Sequence, residues 1–485
     1  MHRAQKRRKA MRSHTTPDVV CPHLTVLTPE QVARVHERSV ALLSTTGVRV
    51  DSESARRLFR RALGPGAEED GRVRIPGELV DWALQVAAPS LEVFARTGAP
   101  AFTLPGPARF GIGVTALYYE EPGTGEIVQF ARRHMRDMVR LGNAMPGFDA
   151  ISTVGVIQDV APERSDLVQV VDMVANTTKP LVVLVSDEGA YPKVLDLLEH
   201  LHGNLAARPF LLPYFNPISP LVINEGTIDK MWATIQRGLP FIYSNYGMAG
   251  ASTPILPGGM FVLLNAELLA GLVLGQLMKP GTPMILGSLP AYFDMRGKGS
   301  FYTPHSYTVD LACAEMMAHY GLPHCGTSGS GMGWGGDLIA AGHQWMNHLL
   351  SCMGRVGLAP FVGDNLGSIV FSPTIVVYAN DVIAQARALA GGFPIDDDSL
   401  ALDELAEVGP GGNFLMSPQT LKHFRTAYFR SAILPPMTLD DWQAKGSRNA
   451  EEVLREHTAR LLTQIEPPED HDNLLARGEA FLSRL

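Results

Sequence analysis

Seven aromatic residues fall at or near the ends of apolar runs: Phe215, Tyr243, Tyr246, Tyr292, Phe293, Trp334 and Trp345. Carboxylates accompany them at Glu267, Asp294, Asp310, Glu315, Asp337 and Asp364. Aromatic faces beside acids suit a pocket for an organic cation, because the ring quadrupole attracts positive charge and a carboxylate complements it. In the simplest assignment Tyr246 and Trp334 box the cation and Phe215 makes a third wall. Asp294 and Asp337 are the candidate catalytic carboxylates. Asn216 and Asn245 would hold a carboxylate or hydroxyl tail. Each has a structural alternative: Asp337 capping a helix that begins near Gly336, Asp294 pairing with Arg296, and any single aromatic packing in the core. Glu267 sits mid-helix in an apolar segment and reads as a satisfied buried carboxylate. Asp396, Asp397 and Asp398 read as helix-start or solvated residues before a cation site.

Other chemistries lack their signatures. There is no nucleophile elbow, P-loop, HExxH or paired zinc-cysteine motif, and no GxGxxG follows the first strand. The four cysteines, Cys21, Cys313, Cys325 and Cys352, show no CxxC spacing and fit reduced thiols in a cytoplasmic protein. A zinc site from His324 and Cys325, with Cys313, His305 and His319 nearby, is the metal alternative, without the usual ligand spacing. A net charge of -8 argues against nucleic acid as the main partner.

The elements that must position these residues centre on Leu239–Arg296. Pro240–Ser244 is a strand-like run breaking into a small-residue loop, Asn245–Pro257. A long apolar helix follows over Gly259–Lys279, then Pro280-Gly281 turns into a second run, Pro283–Gly287. That is a βαβ unit, hence parallel strands under a helix. The stretch Met260–Met278 is long enough to span a membrane. It carries Asn265, Glu267 and Gln276, and a mid-span charge costs about 2.5–3.5 kcal/mol, so a buried helix and no membrane is the reading.

The same unit recurs. Strands are expected at Arg109–Leu117, Ile151–Ile157, Leu181–Val185, Phe210–Phe215, Pro323–Gly326 and Leu358–Val362 besides the two above. Helices are expected at Arg132–Met145, Arg164–Thr177, Ala190–His202, Thr227–Arg237, Ser306–Tyr320, Gly336–Val356 and Pro373–Leu389. Continuous apolar strands alternating with helices mean a parallel sheet buried on both faces, and eight units predict an α/β fold, a (β/α)8 barrel. The turns into strands are short, as at Lys179-Pro180, while the loops after them are polar, Gly-rich or aromatic. In a barrel those loops share the C-terminal rim, where active sites are built. With 46% hydrophobic and 19% charged residues the chain can bury a large core. The division expected is a basic, disordered tail over residues 1–14, a helical N-terminal lobe over 15–105 opened by the capping box Thr28-Pro29-Glu30-Gln31, the barrel over 106–395, and a helical C-terminal extension over 396–485 with helices at Ser417–Arg430, Asp440–Lys445 and Ala450–Ile465.

Several stretches are similar to the trimethylamine methyltransferase family: MAGASTPILPGGMFVLLNAELLAGLVLGQLMKPGTPMILGS, DMRGKG, AHYGLP, GPGGNFL with TLKHFR, and STTGVRV with RRALGPGAEEDGRVRIPGELVDWAL near the N-terminus. The resemblance implies a (β/α)8 barrel that moves a methyl group from a methylamine or betaine to the cobalt of a separate corrinoid protein, with no cofactor held tightly by this chain. Trimethylamine-specific members carry pyrrolysine in the loop after the seventh strand. Aligned on Asp337, that place falls near Trp334 in GSGMGWGGD, and tryptophan offers no electrophilic imine to capture a neutral amine. An indole face suits a permanently charged ammonium, so the expected donor is a small quaternary amine such as a betaine. His305 after Thr303-Pro304 stands where an acid is expected, which marks a divergent branch. Contacts between copies of the chain are expected from its two flanking lobes. The competing functions are a zinc-dependent methyltransferase, a barrel lyase or hydrolase using Asp294 and Asp337 as acid and base, and a betaine-binding protein.

Overall fold

A computed structural model describes residues 19–297, 299–327 and 331–485; the basic tail expected over 1–14 lies outside them. Eight parallel strands close into a barrel: β1 (Arg109–Ile112), β2 (Ala150–Ser152), β3 (Leu181–Val183), β4 (Leu211–Phe215), β5 (Phe241–Ala249), β6 (Met284–Asp294), β7 (His324–Cys325) and β8 (Leu358–Val362). Each pairs with its sequence neighbours, and β8 returns to pair with β1 through Leu358↔Arg109 and Ala359↔Phe110. A helix follows each strand: α1 (Arg132–Ala144), α2 (Pro162–Asn176), α3 (Tyr191–His202), α4 (Glu225–Gln236), α5 (Pro257–Met278), α6 (Pro304–Tyr320), α7 (Leu338–Met353) and α8 (Pro373–Gly391). The expected (β/α)8 fold is present, with every expected strand and barrel helix in its place. Proline at the first turn starts α2, α3, α5, α6 and α8, where its fixed φ suits the helix and its missing N–H costs nothing.

Strand alternation sorts the side chains. Val182, Leu212, Tyr214, Ile242, Ile285, Cys325 and Leu358 fill the barrel interior, and the antiparallel hairpin Leu91–Phe94/Pro100–Leu104 pushes Leu91, Val93, Phe102 and Leu104 against them. Since loops after the strands make the opposite end, this hairpin plugs the N-terminal mouth and leaves the C-terminal one for chemistry.

Helix α5 is apolar on every side because it is covered on every side. Its inner face lies on β5 and β6, and its outer face is covered by the N-terminal helices Pro29–Thr45, Glu53–Leu63 and Gly77–Val86. In its most apolar window, 89% is buried inside the protein, so length and composition alone do not make it a membrane span. Its buried Asn265 Nδ2 donates to Ser39 Oγ at 2.9 Å and Tyr320 OH at 3.0 Å.

The two flanking segments differ from expectation. The N-terminal lobe is not purely helical, for Val48–Val50, Glu68–Glu69 and Arg72–Val73 form a small sheet that Val222–Ile223, beyond β4, joins in parallel. The C-terminal extension divides in two. Helices Ala450–Leu462 and His471–Leu482 pack on α8 and on α2 and α3, respectively, and Arg96 forks onto Asp470 at 2.5 and 2.7 Å. The second of these helices was not expected. Residues 393–445 form an arm of short helices whose helical residues are never buried.

Candidate active site

Strands β5 and β6 run well beyond the barrel, paired without a break from Phe241↔Met284 to Ala249↔Tyr292. The expected loop at Asn245 is therefore four or five residues late, because the ladder to β6 supplies the hydrogen bonds that the small residues there could not secure alone. This raised two-stranded wall carries Tyr246, Met248 and Ala291 on one face, where they pack with Tyr302, Tyr307, Met346 and Leu350. Tyr302 precedes α6, whose start is set by the Thr303 cap and Pro304, and Tyr307 lies in its first turn. The Tyr302 and Tyr307 rings stack at 6.4 Å, 17° from parallel. Tyr246 OH meets Ser300 Oγ. Tyr307 OH accepts from Asn347 Nδ2 at 3.2 Å and lies 3.2 Å from His343 Nδ1. Burial pushes the Tyr246, Tyr302, Tyr307 and Tyr214 phenols up, the Tyr302 one further through the charges of Tyr246, Asp364 and Tyr307. All four stay neutral, and their rings remain electron-rich faces.

Two buried carboxylates border the tyrosines. Gly363 takes φ +120° after β8, and a Cβ there would strike Phe371 and Val376; this turn sends Asp364 inward. Its Oδ2 accepts from Gly331 N at 3.2 Å, while Oδ1 is buried without a hydrogen bond among the described residues. Burial raises its carboxyl to about 7, against the pull of Ser368 and Gly331. Asp310, further along α6, accepts from Thr327 N at 3.4 Å and is raised by burial to about 8. Each would ionise readily beside a cation, since a nearby positive charge favours the charged form of an acid.

On the β1–β4 side the mouth opens into a cleft of ≈ 270 Å³, walled by Tyr214, Asn216, Ser186, Glu188, Asn224, Thr227 and Lys230, with Thr115, Val156, Leu184 and Val185. The Lys230 ammonium is 3.9 Å from Glu188 Oε1, and burial lowers its pKa. Tyr214 belongs to both halves: it walls the cleft and its charge would act on Tyr302.

Residues 1–484 match the family described as "Trimethylamine methyltransferase (MTTB)". The chain belongs to that family. Among similar proteins, the trimethylamine methyltransferase MttB of Desulfitobacterium hafniense (strain DSM 10664 / DCB-2) is 25% identical over 90% of this chain and 89% of its own length. The glycine betaine methyltransferase of Desulfitobacterium hafniense (strain Y51) is 24% identical over 96% and 97%. A solved structure, the monomethylamine methyltransferase MtmB of Methanosarcina barkeri, superposes with a TM-score of 0.46 at 9% identity, covering 91% of this chain and 93% of that one.

Within a methyltransferase of this family the residues singled out in the sequence fall into two groups. Tyr246 lies in the tyrosine cluster, and Asn216 faces the cleft, its Nδ2 donating to Ser244 O at 2.8 Å. The others stand elsewhere. Phe215 is 1% exposed and points away from the mouth into the helical layer, edge-on to Tyr191 at 5.5 Å, because it follows the inward Tyr214 in a strand. Asn245 alternates with Tyr246 likewise: its Nδ2 donates to Leu264 O at 2.9 Å and Glu267 Oε2 at 2.8 Å. Asp337 caps α7, accepting from Ala340 N at 2.8 Å and Trp334 N at 2.9 Å. Asp294 closes a turn by accepting from Arg296 N and Gly297 N, both at 3.0 Å. Both carboxylates accept hydrogen bonds from backbone amides. Trp334 is 77% exposed on the rim, against no cage. Glu267 is the satisfied carboxylate expected, receiving Leu221 N, Ser219 Oγ and Asn245 Nδ2. For the zinc alternative, His324 and Cys325 are strand neighbours on opposite faces, and among the described residues no three His, Cys, Asp or Glu converge. Tyr214, Tyr302 and Tyr307 were not among the aromatics noted in the sequence. Their signal was weak, since two sit at a helix start and one mid-strand.

Proposed function

We propose that this chain moves a methyl group from a small quaternary amine, of the betaine class, to the cobalt of a separate corrinoid protein. The observation carrying the donor class is the cluster of Tyr246, Tyr302 and Tyr307, with the buried Asp364 acting on Tyr302 and Tyr307. A tetraalkylammonium has no N–H to donate, so ring faces and an ionised carboxylate are the partners it can use. In this reading the tyrosines hold the N-methyl groups by their faces and fix one toward the mouth. Asp364, ionised by the arriving cation, balances its charge through Oδ1. Lys230 and Asn216, across the cleft, take the donor's carboxylate tail, with Tyr214 between the two ends.

Positioning supplies most of what the reaction needs from this chain. The C–N bond breaks with its electron pair staying on nitrogen, and the methyl carbon takes its new pair from reduced cobalt, which the partner brings. The donor leaves as a neutral tertiary amine. Neutralisation removes the attraction of both the rings and Asp364, which releases the product. The acceptor needs an open, apolar approach, and Leu256, Met295 and Trp334 on loops, Tyr292 near the end of β6 and Leu338 at the start of α7 are exposed. That rim fits a docked corrinoid protein, and it gives Trp334 a role in the encounter in place of the cage.

The test is incubation of the purified chain with a corrinoid protein held as cobalt(I), against a panel of methylated amines, following the visible spectrum. The expected result is methyl-cobalt(III) with a carboxylated quaternary amine and none with trimethylamine. Turnover of trimethylamine but of no quaternary amine overturns the donor class.

A further inference from the structure

The arm over residues 393–445 is ordered yet has no core of its own. Asp396, Ser417 and Thr438 cap its helices by accepting from Ser399 N, Thr420 N and Asp441 N. Gln419 ties its halves, its N–H donating to Glu404 Oε1 at 2.9 Å and its Nε2 to Asp398 O at 2.7 Å. Still, fifteen large apolar side chains from Phe393 to Trp442 are more than a third exposed, among them Leu402 (76%), Leu415 (76%), Phe424 (62%) and Tyr428 (88%). At roughly 100 Å² each they present on the order of 1,500 Å² of apolar surface. Summed over the arm, that exceeds the ~800 Å² per partner of a standard interface.

Charge on the arm is segregated. Asp396, Asp397, Asp398, Asp403, Glu404 and Glu407 come first, with no base before Lys422; Lys422, His423, Arg425 and Arg430 follow, with no acid between Glu407 and Asp440. Among the described residues none of these side chains enters an ion pair. A surface with an acidic end and a basic end is complementary to itself under a two-fold axis, where each segment meets the other of its mate.

We propose that the arm is the dimerisation element of this protein and that its occupant is the arm of a second copy, packed antiparallel so that residues 396–407 of one chain face 422–430 of the other. The N-terminal residues 1–18 are a poor alternative cover: among them only Met1, Ala4, Ala10 and Met11 are apolar. A corrinoid partner has no reason to mirror the arm's own charge order.

The test uses the full chain in sedimentation equilibrium at low micromolar concentration. The expected mass is twice 52.6 kDa. The variant D397K/D398K/D403K, whose segment 396–407 is left without net charge to face 422–430, and the variant K422E/R425E/R430E, in which both facing segments are acidic, should each sediment as monomers with unchanged circular dichroism. Mixed in equal amounts, the two should regain the dimer mass, because the acidic 396–407 of the second variant then meets the basic 422–430 of the first. A wild-type monomer overturns the proposal, and so does a monomer that associates only when a corrinoid protein is added. Variants that remain dimers, or that fail to pair on mixing while folded, overturn it as well.

Discussion

Asp364 carries the sharpest consequence at the scale of single residues. With its carboxyl at about 7, it is neutral in acid and attracts a cation only when ionised. We therefore expect kcat/KM for the quaternary donor to rise about tenfold per pH unit below 7 and to level off above it; Asp364→Asn should flatten that profile. The same shift acts oppositely on stability. Its pKa rises from 3.8 to about 7 on folding, so the folded state binds the proton more tightly, and stability falls as pH climbs through that window. Thermal scans across it should show the fall in the wild type and less of it in Asp364→Asn. Lys230→Met should raise KM for carboxylated donors at least tenfold and leave tetramethylammonium unaffected; equal loss with both would refute a tail-binding role. Asp337→Asn, which preserves the helix cap, should keep full turnover, whereas a catalytic aspartate would lose it. These residues show why the site was half legible. Residue types gave aromatics and acids; strand alternation sends Phe215 and Asn245 outward, and only the register of β4 and β5 decides which of two neighbours faces the mouth.

At the scale of elements, the central βαβ unit is governed by close packing. A Cβ on Gly271 of α5 would lie 2.1 Å from Tyr243 Cε1, and Tyr243 is fully buried beneath it. Glycine there lets α5 sit down on β5, the strand that goes on to present Tyr246. Gly271→Ala should cost about 1–3 kcal/mol by overpacking, read as a lower urea midpoint, and should weaken donor binding by shifting Tyr246. An unchanged midpoint would mean the helix can give. The repeat of strands and helices was legible because parallel strands buried on both faces are continuous apolar runs bounded by Pro and Gly. The extension of β5 and β6 past the barrel was not, since Asn245 to Ala249 read as a loop and only pairing with β6 makes them strand.

At the scale of the molecule, segments distant in sequence complete the barrel. Arg96, 6% exposed, is held by Asp470 and by Thr177 O, and Gly478 of the last helix lies against Val171 of α2. Removing residues 470–485 should therefore destabilise the protein, through the lost packing on α2 and α3 and an arginine without its carboxylate, seen as a lowered melting temperature. If melting were unchanged, the last helix would be an ornament to the fold. That helix escaped the sequence reading because its apolar stripe, Leu474, Leu475, Phe481 and Leu482, is short and interrupted by charge.

The sequence by itself determined the barrel, the order of its strands and helices, and the rim that bears the chemistry. Those follow from local hydrophobic period and turn chemistry, which each segment carries within itself. The tertiary structure decided the rest: that α5 is apolar all round because an N-terminal lobe covers it, that Asp294 and Asp337 serve backbone amides, and that Tyr246, Tyr302 and Tyr307 pack in one cluster while Asp364 is buried. A cage is made of residues far apart in the chain, and the field that raises Asp364 exists only where burial removes water from all of them together.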